Sequence, residues 1–85
     1  MARTFYPRRY ILVEASEPHP AGTSYKVSIG DEDWEGVFQT VVKVQMVVDG
    51  KIQGRKSPSY PVGTDDFKRV SEAIDTLMAI GENQR

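Results

Sequence analysis

Lys43, Lys51, Arg55 and Lys56 lie close together in the sequence, opposed between residues 37 and 56 only by Asp49. Arg8 and Arg9 stand beside Tyr10, and Tyr60 follows Lys56. Cations neutralise phosphates and aromatic rings stack on bases, which is what a single-stranded nucleic acid asks of a binding surface. Lys43, Lys51, Arg55 and Lys56 are therefore the candidate phosphate contacts, with Arg8 and Arg9 extending the track and Tyr10 or Tyr60 as stacking platforms. A plainer reading accounts for the same pattern: a solvated sheet face whose lysines discourage edge association.

No other constellation points to chemistry. His19 is the only histidine, set between Pro18 and Pro20, and the chain has no cysteine. A zinc site, a cysteine nucleophile and a disulfide scaffold are excluded on that ground. Asp31, Asp33, Glu35 and Gly36 imitate the opening of a calcium loop, but the position that should carry a bidentate glutamate is Val42. There is no glycine-rich phosphate loop and no nucleophile elbow. The expectation is a non-catalytic protein without metal or cofactor.

The elements that must position these residues belong to one small domain. Eighty-five residues leave no room for a second core, and 39% hydrophobic with 27% charged residues is an ordinary globular balance. Nothing approaches the length of a membrane span, and the N-terminus has no apolar signal core, so a cytoplasmic protein is the simplest expectation. So small a core makes a homodimer a reasonable expectation. The net charge of −1 conceals segregation: residues 1–13 and 37–56 each sum to +3, residues 14–36 to −5 and residues 57–85 to −2.

Tyr10 to Ala15 is β-branched and aromatic enough for a strand, preceded by an arm, residues 1–7, and ended by the proline-rich stretch SEPHPAGTS. Tyr25 to Ile29 alternates as a strand, GDEDWEG reads as an acidic loop anchored by Trp34, and Phe38 to Val48 is the longest strand. Thr64 is a good N-cap, Asp65 and Asp66 suit the helix dipole, and Phe67, Val70, Ile74, Leu77 and Met78 form an apolar stripe that Gly81 ends. Periodicity also assigns Phe38 to the core. The expected fold is α+β: a four-stranded antiparallel sheet in β-β-β-β-α order, with one C-terminal helix over about 64–80 packed on one face.

The even positions Phe38 to Val48 form the core face of the long strand. A two-residue Asp49-Gly50 turn would set Met46 against Gln53 and Val44 against Arg55, placing polar residues on that face. A three-residue loop, Val48-Asp49-Gly50, instead sets Met46 against Ile52 and Lys43 against Arg55. This is the expected register. It assigns two like charges to one pair, with no acid on that face.

Residues 38–80 resemble the C-terminal domain of the positive cofactor four family of transcriptional coactivators. Gly54-Arg55-Lys56 and Thr64-Asp65-Asp66-Phe67 occupy the places of that family's hairpin end and helix start. The resemblance implies a curved four-stranded sheet plus helix, a dimer, and single-stranded DNA bound along the strands, with Lys51, Arg55 and Lys56 as backbone contacts. The same stretch is similar, second in rank, to the latter half of a double-stranded-RNA-binding domain, through Phe38, Asp49-Gly50-Lys51 and Val70 to Leu77. The reading that follows is a nucleic-acid-binding domain, single-stranded DNA or RNA, of low sequence specificity. The alternative is a homodimeric protein-protein interaction module.

Overall fold

The computed structural model describes residues 4–83. Strands β1 (Phe5–Glu14), β2 (Thr23–Trp34), β3 (Val37–Val48) and β4 (Lys51–Ile52) form one antiparallel sheet in the order β1-β2-β3-β4, followed by helix α1 (Asp66–Asn83). This is the α+β arrangement expected from the sequence. No helix among the described residues is long and apolar enough to cross a membrane.

Alternation along the strands places the core. Val13, Tyr25 and Met46 lie abreast across β1, β2 and β3, followed by Ile11, Val27 and Val44. Helix α1 packs on β1 and β2 over this face, burying Val70, Ala73 and Leu77 against Val13, Tyr25, Val27, Ile29 and Met46. The other sheet face carries no helix.

Three expectations about the strands are corrected. β1 begins at Phe5, so residues 5–7 of the expected arm are paired into the sheet; residues 1–3 lie outside the described residues. GDEDWEG is mostly strand: β2 runs to Trp34, and only Glu35 and Gly36 form the turn, with φ of 56° and 92°. The acids are tolerated in a strand because each has a partner: Asp31 meets Arg8, and Glu32 meets Lys43. The hairpin tip is the third case. Asp49 and Gly50 both have positive φ, 50° and 82°, and Val48 pairs with Lys51 and Val47 with Ile52. This is the two-residue turn whose twist suits a hairpin. The amide of Gln53 donates to the Met46 carbonyl at 2.8 Å, which overturns the Met46–Ile52 register. The polar mismatch that argues against this turn is confined to Gln53 beside Met46, because β4 ends at Ile52 and Arg55 does not pair with Val44.

The helix is rotated from the expected stripe. Asp66 is fully buried, while Phe67 is 63% exposed and Met78 42% exposed. A buried carboxylate at the first helical position turns the 66-70-73-77 line inward and carries Phe67 out, where its ring meets Tyr60 edge-on at 5.4 Å. The Thr64 hydroxyl accepts the Asp66 amide at 3.3 Å, and the helix continues through Gly81, which weakens a helix without ending it. Phe38, also assigned to the core, is 57% exposed, since it sits near the Glu35-Gly36 turn on a strand the helix does not cover.

Candidate nucleic-acid interface

The predicted cations divide between the two sheet faces. Lys43 and Tyr10 lie abreast on the helix-free face, either side of Ser28. Lys43 forms an ion pair with Glu32, whose side chain is buried, and its ammonium stands 5.2 Å from the Phe5 ring centre. Glu32 Oε1 also accepts from Trp34 Nε1 at 2.7 Å. The face thus does carry an acid, supplied by the neighbouring strand β2. Tyr10 is 56% exposed, with Lys26 Nζ over its ring at 4.5 Å.

Arg8 and Arg9 turn to the helix-bearing face instead. Arg9 pairs with Ile29 just past a bulge in β1, and Arg8 makes a 3.4 Å ion pair with Asp31. They do not extend a track from Lys43. Tyr60 is half-buried, stacked on Tyr25 with ring centres 5.1 Å apart, and burial pushes its hydroxyl pKa up. It belongs to the packing of the helix start.

Lys51 opens β4 at the hairpin end of the sheet, and Arg55 and Lys56 follow in the bend just after it. All three are exposed, and none makes an ion pair among the described residues. The chain bends tightly here, with the Lys56 amide donating to the Gln53 carbonyl at 3.1 Å. Beside them opens a cavity of about 370 Å³ lined by His19, Thr23, Met46, Val48, Lys56 and Ser59, among others. Its lining is mostly apolar and includes one cation, Lys56. Thr23 is 3% exposed, and its hydroxyl is buried without a hydrogen-bond partner. His19 Nε2 donates to the Ser59 carbonyl at 2.8 Å, which fixes one wall of the cavity. His19 and Thr23 were not singled out as binding residues, since a histidine in a proline-rich loop and a threonine at a strand start carry no local signal.

A second polar cluster holds this architecture in place. Asp66 accepts from the Ser16 amide at 2.9 Å, the Ser16 hydroxyl at 2.5 Å, the Tyr25 hydroxyl at 2.8 Å and Arg69 Nη2 at 2.7 Å. Burial alone would raise its pKa, but the Ser16, Tyr25 and Arg69 contacts outweigh this and lower it to about 2. Burial, and then the adjacent Asp66, hold the Tyr25 hydroxyl above its ordinary range. Arg69 also donates to the Glu14 carbonyl at 2.9 Å. The carboxylate is satisfied on every side, and this reads as a clamp between the β1–β2 loop and the helix start.

Among the described residues, no group of three or more histidine, aspartate or glutamate side chains is placed to hold a metal ion. Comparisons with protein-family models, curated proteins and solved structures found no match.

Proposed function

We propose that this domain binds single-stranded nucleic acid at the hairpin end of its sheet, without catalysis and with little sequence preference. Lys51, Arg55 and Lys56 neutralise successive phosphates, and one base enters the adjacent cavity. The observation that carries this reading is the contrast among the cations. Lys43, Arg8 and Arg69 are each satisfied by a carboxylate, whereas these three make no ion pair among the described residues and Lys56 lines a cavity large enough for a base. A volume of about 370 Å³ lies in the ordinary range for small-ligand pockets. The resemblance of Gly54-Arg55-Lys56 to the positive cofactor four family supports the same three residues.

The expected result is salt-sensitive binding of a labelled oligo-dT strand, read by fluorescence anisotropy. Three neutralised phosphates give a slope of log K against log salt of roughly −2 for a single strand. Arg55→Glu with Lys56→Glu should lower affinity by roughly tenfold or more and flatten the slope to about −0.7 or less in magnitude. Lys43→Gln should change little, because Lys43 already serves Glu32. Binding indifferent to salt, or unaltered in the double variant, would overturn the reading.

A second reading, association of two copies of this chain, is favoured by the unpaired edge of β3, and its geometry is argued next.

A further inference from the structure

β4 is only two residues long, so β3 has a sheet neighbour on that side at Val47 and Val48 and, through the Gln53 amide, at Met46. From Val37 to Gln45 the outer edge of β3 has no strand partner among the described residues. Natural sheets protect such edges, and the opposite one is protected here: β1 carries Pro7, the charge of Arg8 and a bulge between Pro7 and Arg9. β3 has neither proline nor bulge. It pairs with β2 without interruption from Val37 to Val48, and α1 packs on β1 and β2, leaving this edge uncovered.

The outward backbone groups of this edge can be identified. The Met46 carbonyl points away from β2, since it accepts from Gln53. Alternation in an antiparallel ladder then turns the amides and carbonyls of Phe38, Thr40, Val42 and Val44 outward as well. These four positions are symmetric about Val41. We infer that two copies of this chain associate by antiparallel pairing of β3 with β3, the two-fold axis passing through Val41. The inference deepens the second reading above and is independent of nucleic acid.

In that register Phe38 pairs with Val44 of the other copy, and Thr40 with Val42, satisfying all four outward positions of each chain with about eight hydrogen bonds. The side chains agree. The exposed Phe38 is covered by the half-buried Val44, Val41 meets its own copy, and Lys43 faces Gln39 rather than another lysine. The ends are complementary in charge: Asp33 and Glu35 at the β2–β3 turn of one copy approach the end carrying Lys51, Arg55 and Lys56 of the other. Such self-complementarity selects a second copy over an unrelated strand. Ends paired in this way are less open to phosphate, so dimerisation and oligonucleotide binding oppose each other.

Because the chain has no cysteine, single thiols can report the register. A residue on the axis, at a non-hydrogen-bonded pair, has its Cα about 4.5 Å from its copy, within disulfide reach. Val41→Cys should cross-link into a covalent dimer under mild oxidation without oligonucleotide. Gln45→Cys, on the same sheet face but roughly 27 Å from its copy in this register, should not. Gln39→Cys combined with Lys43→Cys should cross-link, and neither alone should. Val42→Pro removes one outward amide that β2 does not use, so it should convert the dimer to a monomer in sedimentation while the circular dichroism spectrum is retained. A wild-type chain that sediments as a monomer at high micromolar concentration would overturn the inference, as would equal cross-linking at positions 41 and 45. Loss of oligonucleotide binding with cross-linking intact would reject only the nucleic-acid reading.

Discussion

Replacing Asp66 with alanine should destabilise the domain by about 3–5 kcal/mol, the cost of removing one partner from a buried charged pair. The variant removes the buried acceptor of the Ser16 amide and of the Tyr25 hydroxyl, and the buried ion-pair partner of the one-third-exposed Arg69. Urea denaturation monitored by Trp34 fluorescence measures the loss. The same carboxylate makes stability depend on acid. Its pKa falls from 3.8 in the unfolded chain to about 2 in the fold, so the unfolded state takes up the proton first as pH drops. The contribution is complete above about pH 4 and disappears as pH falls towards 2, a loss of about 2–3 kcal/mol. Asp66→Asn should be less stable at neutral pH and should lack this part of the acid dependence. An unchanged profile in that variant would show that other carboxylates govern acid unfolding.

Gly30→Ala should cost about 3 kcal/mol, unusual for the addition of one methyl group. The new carbon would lie 2.3 Å from the Tyr6 carbonyl oxygen and 2.7 Å from the Pro7 Cα, both backbone atoms that no side-chain rotation can relieve. β1 crosses Gly30 just before its bulge, so accommodating the methyl group means shifting the strand that carries Arg8 and Arg9. Gly36 provides the control. It has open space around its missing side chain and a φ of 92°, so Gly36→Ala should lose only the roughly 1 kcal/mol that a left-handed conformation costs. Comparable losses in the two variants, by thermal or urea unfolding, would contradict the close approach at Gly30.

The fold class was legible because alternation and helical spacing are local properties. Tyr25, Val27 and Ile29 alternate in the sequence and are buried together in the structure. What failed depended on partners distant in sequence. Asp31 and Glu32 read as loop because nothing nearby announces that Arg8 and Lys43 will neutralise them. Phe67 read as core because a buried aspartate at position 66 is intelligible only once Ser16 and Tyr25 are seen around it. The hairpin register was misjudged for a more particular reason. Asp49-Gly50 is itself the signature of the two-residue turn, and the polar residues that count against it weigh only on a longer strand than the one that ends at Ile52. Of the candidate site, Lys51, Arg55 and Lys56 were legible as a cluster. The cavity beside them was not, since its lining comes from the β1–β2 loop, two strands and the segment preceding the helix.

Because the four strands neighbour one another in chain order, each pairing in the sheet is closed by the segment that joins consecutive strands, and some of those segments are two residues long. The clamp at Asp66 is of another kind, joining positions 50 and 41 residues apart. Closing so long a loop costs more chain entropy than zipping a hairpin, so the kinetic bottleneck of folding falls on the docking of α1 onto a sheet already begun. Substitutions at Val70 and Leu77 would then slow folding, because their contacts with the sheet form in that step, as would those along β2 and β3, whose pairing precedes it.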